Sequence, residues 1–433
     1  MAKGIVYSRG FVDVIGPRNE FVGKVADRGT IVARTEPACY GPMITPEVRS
    51  GHTVTTPIEV VGAKVGDGIA LKIKDIKITS RATASGVSVP RRENYLGDPF
   101  VAKKCPKCRD LNPSTYVEGT GPNAVRCRKC GTPVSAFEVT SGYTLILGNS
   151  RRIGVTCPKT VAESIAKDAR EWAQLPEGAL CHSVLALALA DMPSGIVARI
   201  RPMIGNIGTI PAVDIPSSHN AGDVGQFLVG APHQYSIKKE DLLKRTDSHM
   251  DIDTVGKGSI LIAPVKVQGA GIIVGDAHAM QSDGEIAGHT TDVSAEVTAE
   301  VELVKNQNND GPILLPNLKD LPPLARPFAL LSSNERREAQ KVAEEFGFDL
   351  RTDLAPVQVV GSGANLNEAV DNGLDRMAKM SGMKLDEVKN LVTIAGGIEI
   401  GRLPGIVQVT MQVPMARLKK IGIAHLAKQQ YPI

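Results

Sequence analysis

The chain is poor in aromatic residues and in net charge. Phe, Trp and Tyr make up only 4% of its 433 residues, and the formal net charge at pH 7 is +4. A charge this small, without a basic stripe that carries interleaved aromatics, argues against a nucleic-acid partner. Glycine and proline are abundant by contrast, at 43 and 28 residues. This composition favours a turn-rich β protein whose core is built from Val, Ile and Ala.

Long apolar segments and several well-known motifs are also missing. No apolar run reaches the about 18–20 residues of a transmembrane helix, and the start MAKGIVYSRG lacks the features of a signal peptide. We therefore expect a cytoplasmic protein with no membrane partner. The sequence contains no P-loop and no G-x-S-x-G elbow, and IGNIG (204–208) lacks the full glycine spacing of a dinucleotide fingerprint.

Cysteine is scarce, but four of the seven cysteines follow a recognisable spacing. CPKC (105–108) and CRKC (127–130) are separated by 18 residues, which is close to the pattern of a four-thiolate zinc site. We predict a zinc ribbon over residues 101–137, with no open metal position for a substrate. The predicted ligands of this structural zinc are Cys105, Cys108, Cys127 and Cys130. The isolated residues Cys39, Cys157 and Cys181 are expected to be small buried hydrophobes.

Hydrophobic periodicity predicts a mixed α+β fold. Alternation predicts a strand over 293–304, and helical periodicity predicts helices over 159–175, 334–347 and 366–382. We expect a β-rich, antiparallel, sandwich-like core with peripheral helices, an inserted ribbon and an α/β C-terminal region. The predicted divisions are an N-terminal β-rich part (1–100), the ribbon (101–137), the remainder of the core with the acidic and histidine site (138–310), and the C-terminal region (311–433).

The segment GDAHAMQSDGEIAGHTTD (275–292) concentrates ionisable side chains next to an apolar run, SILIAPVKVQGAGIIV (259–274). Burying carboxylates and imidazoles costs several kcal/mol unless they are paired, protonated or bound to a metal. A soluble protein that places them beside its core is therefore expected to use them. The ionisable and amide residues of the segment are Asp276, His278, Gln281, Asp283, Glu285, His289 and Asp292.

The spacing within this segment predicts two pairs. In an extended chain Asp276 and His278 project to one face, and Asp283 and Glu285 form a second pair at the same spacing. Such pairs favour either a divalent-metal site or a general acid with a general base. The alternative is a solvated turn between two strands, with Asp283-Gly284 as the turn dipeptide.

A second polar segment, TDSHMDID (246–253), precedes the same apolar run. An extended backbone would place His249, Asp251 and Asp253 on one face, where they would make a reasonable metal-ligand set. The alternative is a polar loop before a strand. We expect the two segments to share one site, and the loop over 217–235 is a further candidate for reaching it. For His52, at a loop-to-strand junction, a structural role is the simpler interpretation.

Three blocks of the sequence resemble the acetamidase/formamidase family. They are VVGAKVGDGIALKIKDI (60–76), HMDID (249–253) and GDAHAMQSDGEIAGHTTD (275–292), the last resembling the long family signature G-D-x-H-x-x-Q-G-D-G-E-x-x-G-T-x-x-E. The resemblance covers most of 50–310. The family's positions fall on Asp251, Asp276, His278, Gln281, Asp283 and Glu285. The chain departs from the family pattern at His249, Ser282, His289 and Asp292.

The resemblance implies an amide hydrolase that releases ammonia or an amine and a carboxylate from a small amide, such as formamide or acetamide. It also implies a homo-oligomer. Our working roles make Glu285 the leading acid or base, supported by Asp283 and His278, and assign substrate contacts to Gln281 and His289. The predicted ligands of a divalent active-site metal, Zn or Ca, are Asp276, His278, Asp251 and His249.

Two other functions are compatible with the sequence. The first keeps the site but changes the bond, giving a C–N hydrolase that acts on a larger or cyclic amide or ureide. The second treats the ribbon as the functional part of a non-enzymatic interaction protein, with the acidic cluster holding a structural ion.

Overall fold

The computed structural model of the chain describes residues 4–37, 52–90, 104–110, 113–134, 137–180, 182–221, 238–288 and 290–433. Within these ranges the strands of the first half are β1 (Ile5–Ser8), β2 (Phe11–Val12), β3 (Val14–Ile15), β4 (Lys24–Val25), β5 (Thr30–Thr35), β6 (Val54–Thr55), β7 (Glu59–Val60), β8 (Gly68–Ile78), β9 (Ala82–Pro90), β10 (Thr115–Val117), β11 (Val125–Cys127), β12 (Phe137–Leu147), β13 (Ile153–Thr156), β14 (Val197–Arg199), β15 (Met203–Thr209) and β16 (Ile215–Pro216).

The strands of the second half are β17 (Ile260–Pro264), β18 (Ile272–His278), β19 (Ala295–Val304), β20 (Ile313–Leu315), β21 (Leu354–Ser362), β22 (Gly396–Arg402) and β23 (Ile406–Pro414). The α-helices are α1 (Lys159–Lys167), α2 (Ala169–Ala173), α3 (Ser333–Phe346), α4 (Leu366–Ser381), α5 (Leu385–Ala395), α6 (Met415–Lys420) and α7 (Ala424–Gln430). Short 3₁₀ turns cover 184–187, 217–219, 239–244, 318–320, 323–325 and 328–330. None of these described helices has both the length and the apolar character needed to cross a membrane.

A nine-stranded sheet runs through the molecule in the order β1-β5-β19-β8-β17-β20-β21-β23-β22. Its pairings are antiparallel except for β1 with β5. Burial largely alternates along β19, so the prediction of a strand with one wet face over 293–304 is confirmed. The sheet also continues past the division predicted at residue 310, because Ile262 of β17 pairs with Ile313 of β20.

A second sheet, β15-β18-β6-β2, packs against the first. One hydrophobic cluster contains Leu71 and Val297 from the nine-stranded sheet together with Ile204, Val274 and Ala277 from the second sheet. The predicted sandwich-like, β-rich core is therefore confirmed. All seven residues of β18 are buried, including the polar ones at its end. Strand β18 therefore places the candidate site residues Asp276 and His278 in the core.

The ribbon lies between two paired strands. Strands β9 and β12 are antiparallel neighbours, and the short β10–β11 pair is formed by the chain between them. Cys105 and Cys127 are buried in a cluster with Ile165 of α1 and Leu185. Hence the ribbon packs onto the helical part of the chain, through the helix region predicted at 159–175. That region is two helices, α1 and α2, separated by Asp168.

The C-terminal region alternates helices with antiparallel strands. Helix α3 begins at a capping box formed by Ser332 and Glu335, and α4 begins at Asn365, whose side chain accepts a hydrogen bond from the backbone of Glu368. The helices predicted at 334–347 and 366–382 are therefore confirmed to within a residue. Helix α4 packs on β21 and β23 and closes a second hydrophobic cluster.

Candidate active site

Strand β15 brings the two predicted segments together. On one side β15 pairs with β18, which carries Asp276 and His278. On its other side runs the segment that contains His249 and Asp251, since the amide of Met250 donates to the carbonyl of Gly205 at 2.8 Å. The predicted convergence of 246–253 with 275–292 is therefore what the fold produces.

Gly205 of β15 lies next to the carboxylates of Asp251 and Asp276, where the two segments meet. A Cβ built on Gly205 would stand 2.1 Å from Asp251 Oδ1 and 2.8 Å from Asp276 Oδ2. Both distances are far below van der Waals contact, so only glycine lets the two carboxylates approach the strand at this point. The glycine of IGNIG thus has a packing role in the site and not a role in nucleotide binding.

Three carboxylate residues of the site have left-handed backbone. The φ angles are +47° for Asp251, +53° for Asp276 and +44° for Glu285. This conformation costs of order 1–3 kcal/mol for a non-glycine residue, and such residues cluster at functional sites. The extended backbone predicted at Asp251 is wrong. The chain around Asp276 is strand as predicted, because β18 spans Ile272–His278, although Asp276 itself departs from regular strand geometry. The side chains nevertheless converge.

Asp276 bridges two histidines in the buried cluster. Its Oδ1 lies 3.0 Å from His278 Nε2, and its Oδ2 lies 3.2 Å from His249 Nε2. A second carboxylate faces each imidazole, with Asp251 Oδ2 at 3.0 Å from His249 Nε2 and Asp292 Oδ1 at 3.2 Å from His278 Nε2. Each Nε2 atom therefore has two carboxylate oxygens beside it, and all five side chains are at most 2% exposed.

Hydrogen bonds on the outer nitrogens orient both imidazoles. His249 Nδ1 lies 2.6 Å from the carbonyl of Ser218, which can only accept, so this nitrogen carries a hydrogen. His278 Nδ1 donates to Gln281 Oε1 at 2.8 Å, and Gln281 Nε2 donates to the carbonyl of Asp251 at 2.5 Å. Both Nε2 atoms are therefore directed at the carboxylates, and Gln281 connects the two segments.

Glu285 and Arg402 complete the cluster. The hydroxyl of Thr290 donates to Glu285, and Arg402 Nε lies 3.2 Å from Glu285 Oε2. The same guanidinium group reaches Asp251 Oδ2 at 3.2 Å through Nη1. Arg402 is the last residue of β22 and arrives because β22 docks on Gly284, whose carbonyl accepts from the amide of Leu403 at 2.9 Å.

Burial and neighbouring charges shift the pKa values of these groups in different directions. Burial alone would raise the pKa of Asp276, but the neighbouring positive charges of His278 and His52 hold it well below its ordinary value. Burial would lower the pKa of His278, yet the charge of Asp276 raises it well above its usual range. Burial raises the pKa of Asp292, further helped by the charges of Asp276 and Glu285.

Within the buried cluster, Glu285 has a pKa near neutral pH. Burial and the negative charge of Asp251 raise its pKa to about 7, although Arg402 acts in the opposite direction. A buried carboxyl group with a pKa near the working pH is suited to accept and return a proton.

Some predicted residues lie elsewhere. Asp283 is exposed while Glu285 is buried, so the predicted same-face pairing of these two residues is wrong. The reason is the turn at Gly284 (φ +91°) and Glu285, which is not extended. The negative charge of Asp283 acts on Asp253 instead. Asp253 itself is paired with Arg201 at 2.9 Å and does not join His249 and Asp251 on one face as predicted.

Other predicted residues lie outside the described ranges. These are His289, Cys39, Cys181 and residues 222–235 of the candidate loop. Cys157 is buried, as predicted. Of the described part of the candidate loop, Ser218 contacts the site through its carbonyl.

Sequence reasoning missed His52 and Arg402 as members of the site. The His52 ring is 1% exposed, and its centroid lies 4.5 Å from that of His249. Neither residue lies near the two polar segments in the sequence, so spacing could not have revealed them. Asp292 was noted as an ionisable residue of its segment and as a departure from the family pattern, but without a role. Its contact with His278 makes it part of the cluster.

Two parts of the described structure have donor sets that could hold a metal. In the buried cluster these are His52, His249 and Asp276, and also Asp251, Asp276 and His278, with the donor atoms of each set within 4.8 Å of one another. In the ribbon the set is Cys105, Cys108, Cys127 and Cys130. The Sγ atoms of Cys105 and Cys130 are 3.5 Å apart, and those of Cys108 and Cys127 are 3.8 Å apart. A tetrahedral zinc–thiolate site has S···S distances of about 3.8 Å.

Comparison with known proteins gives one family and several similar structures. A model of the acetamidase/formamidase family matches residues 35–245 and 242–416. A predicted acetamidase/formamidase of Thermoanaerobacter tengcongensis is 16% identical with a TM-score of 0.53, over 97% of this chain and 98% of that chain. An acetamidase of Yersinia enterocolitica is 15% identical with a TM-score of 0.53, over 95% of this chain and 93% of that chain.

A third similar structure is an acetamidase of Bacillus halodurans, 16% identical with a TM-score of 0.50, over 96% of this chain and 99% of that chain. At these identities the structural likeness shows a shared fold. Comparison with curated proteins gives no significant match.

Proposed function

Since this chain belongs to the acetamidase/formamidase family and is a hydrolase of linear amide C–N bonds, we propose that it cleaves a small amide such as formamide or acetamide to ammonia and a carboxylate. The observation that carries this proposal is the buried cluster in which Asp251, Asp276 and Glu285 have left-handed backbone around two oriented imidazoles. A protein maintains that much strain and desolvation where the groups are used.

The donor set of this cluster fits a divalent metal. We propose that Asp251, Asp276 and His278 hold it, since their donor atoms lie within 4.8 Å of one another. We further propose that His249, which forms a second such set with Asp276 and His52, completes the ligands. Asp251 Oδ1 is buried and accepts no hydrogen bond from the described residues, which leaves it available as a ligand. Two imidazole donors favour zinc over calcium, because calcium takes oxygen ligands. A metal in this position lowers the pKa of bound water and polarises a carbonyl group.

Glu285 is the proposed general base. Its ionised carboxylate takes a proton from the attacking water as the new C–O bond forms and the carbonyl becomes a tetrahedral intermediate. Glu285 then returns that proton to the amide nitrogen as the C–N bond breaks, so that ammonia and the carboxylic acid leave. The Thr290 hydroxyl and Arg402 Nε hold the two oxygens of this carboxylate. Arg402 also supplies positive charge close to where the oxyanion of the tetrahedral intermediate develops.

Gln281 is proposed to act through His278. Its amide holds the imidazole in one orientation while anchoring the backbone of Asp251, which is the arrangement that orients a ligand or a charge partner. A substrate contact by Gln281, and one by His289, stay predictions.

The four ribbon cysteines are proposed to bind a structural zinc. Two of their Sγ separations, 3.5 and 3.8 Å, support this proposal, because sulfur atoms around a tetrahedral zinc lie about 3.8 Å apart. We also propose that the protein is a cytoplasmic homo-oligomer.

Hydrolysis of a panel of amides tests the proposed substrate class, measured as ammonia release for the primary amides and as amino-acid formation for the lactam. The panel contains formamide, acetamide, propionamide, benzamide and a five-membered lactam, with the protein's metal content measured in the same preparation. We expect the largest kcat/KM for formamide or acetamide. A kcat/KM that is higher for benzamide or for ring opening of the lactam would contradict the small linear substrate.

A further inference from the structure

A cavity of about 300 Å³ opens between the loop over 306–312 and helices α4 and α6. None of the residues of the buried His–Asp cluster lines it. Its volume is at the lower end of the range for small-molecule sites. The cations that line it are Arg376, Lys379, Arg417 and Lys420, and the carboxylate that lines it is Asp310. Four positive charges against one negative charge leave a lining charge of +3.

Arg376 is held rigidly at the inner end of this cavity. Its Nη2 donates to Asp247 Oδ2 at 2.7 Å and its Nη1 donates to the carbonyl of Val360 at 2.6 Å. A Cβ on Gly311 would lie 2.4 Å from Nη1, so the loop closes against the guanidinium without a side chain. Asp247 is shared with Arg245, which lies 3.2 Å from its other oxygen. The single carboxylate of Asp247 therefore pairs with two guanidinium groups, and these three side chains keep a net charge of +1.

The other cations are also incompletely neutralised. Arg417 donates to the carbonyls of Met380 at 2.5 Å and Lys379 at 3.0 Å, which are neutral acceptors. Lys420 is exposed and forms no ion pair with a carboxylate of the described residues. Lys379 is paired with Asp310 at 2.6 Å. The cavity thus combines a fixed guanidinium, a second guanidinium bound only to carbonyls, and a lysine that is not paired.

We propose that this cavity binds a small oxyanion with two or more negative charges. A cleft lined by one sign of charge focuses the electrostatic field and concentrates counter-ions. Guanidinium groups match the planar spacing of phosphate and carboxylate oxygens, and an ammonium group adds a movable point charge. Phosphate and citrate share this chemistry. The site is independent of the proposed amide hydrolysis, so either proposal can fail without the other.

Calorimetric titration with inorganic phosphate and, separately, with citrate tests the site at low ionic strength. Lys420→Ala removes a lining charge, and Lys419→Ala removes the adjacent exposed charge, which does not line the cavity. We expect saturable binding of at least one anion, weakened about tenfold by Lys420→Ala through loss of one charge-assisted contact. Lys419→Ala should leave the Kd unchanged, although it alters the overall charge by the same amount.

Asp310→Asn provides a test of opposite sign. Removal of the lining carboxylate frees Lys379 and should tighten anion binding. The relative Kd of phosphate and citrate then assigns the natural ligand to a phosphorylated or a polycarboxylate compound. The proposal is overturned if neither anion binds saturably, if Lys419→Ala weakens binding as much as Lys420→Ala, or if Asp310→Asn binds no more tightly than the wild type.

Discussion

At the scale of single residues, the site depends on contacts that fix the conformation and position of its carboxylates. Asp251 and Asp276 both have left-handed backbone and both approach Gly205, while their oxygens face the Nε2 atoms of His249 and His278. The strain is maintained because the ion pairs and the strand pairing of β15 act together. A change at any of these contacts should therefore affect the geometry of the whole cluster.

Gly205→Ala tests whether this close approach matters. The added methyl group would overlap both carboxylates, so we expect ammonia release to fall at least about a hundredfold, as for a misplaced catalytic group. Circular dichroism and the melting temperature report whether the fold survives. Gly4→Ala is the matched control, because a Cβ there meets nothing within 4 Å. Equal activity of the two variants would contradict the packing role of Gly205.

Arg402 should tune the ionisation of Glu285. The pKa of Glu285 is about 7, and a general base is active only when ionised, so kcat/KM should rise with pH through an inflection near 7. Arg402 favours the ionised form, and Arg402→Gln removes that charge. The rising limb should then move to higher pH by about one unit or more.

The pH profile has a suitable comparison in Glu399. Burial and the charge of Asp283 raise the pKa of Glu399 to about 7 as well, but its hydrogen-bond partner is Gln358 and not the His–Asp cluster. Glu399→Gln should leave the profile unchanged. If the rise of kcat/KM with pH were unchanged in Arg402→Gln, or shifted in Glu399→Gln, its assignment to the ionisation of Glu285 would be contradicted.

At the scale of elements, periodic patterns were predictable and local departures from them were not. The helix at 366–381 and the strand at 295–304 each bury one face along many residues, and a repeated pattern in the sequence reports that burial. The helix at 333–346 buries only Ala343, and its start is marked instead by the capping box of Ser332 and Glu335. Strand β20 has three residues within a Pro- and Asn-rich stretch, too few for any period to be visible. The left-handed conformation of the site residues could not be predicted for another reason, because tertiary contacts impose it.

The ribbon was predictable because metal chelation requires the cysteines at fixed spacing. Its burial against α1 and Leu185 could not be read from that spacing. If zinc holds the ribbon together, the packing of α1 and Leu185 against the ribbon also depends on zinc. Cys105→Ser should then reduce the zinc content by about one equivalent per chain and lower the melting temperature by several degrees.

Cys157→Ala is the matched control for the ribbon. Cys157 is buried in the same hydrophobic cluster but lies outside the four-cysteine set. Its replacement should leave the zinc content unchanged, as measured by atomic absorption. Loss of zinc from Cys157→Ala, or full retention of zinc by Cys105→Ser, would contradict the ribbon assignment.

At the scale of the whole molecule, the nine-stranded sheet connects the site to the C-terminal region. The sheet crosses the predicted division at residue 310 through the β17–β20 pairing, and its last strand, β22, delivers Arg402 to Glu285. The C-terminal region is thus part of the catalytic unit in this account. Sequence reasoning did not find Arg402 because the contact joins segments more than a hundred residues apart.

The rate of ammonia release by Glu285→Gln tests the central claim most directly. The variant keeps the size of the side chain and one acceptor oxygen but cannot accept the proton, so kcat on the best amide should fall at least about a hundredfold with the fold and the metal content intact. Glu399→Gln, measured beside it, should retain the wild-type rate. Near wild-type turnover by Glu285→Gln would contradict the claim that the buried cluster cleaves the amide with Glu285 as its base.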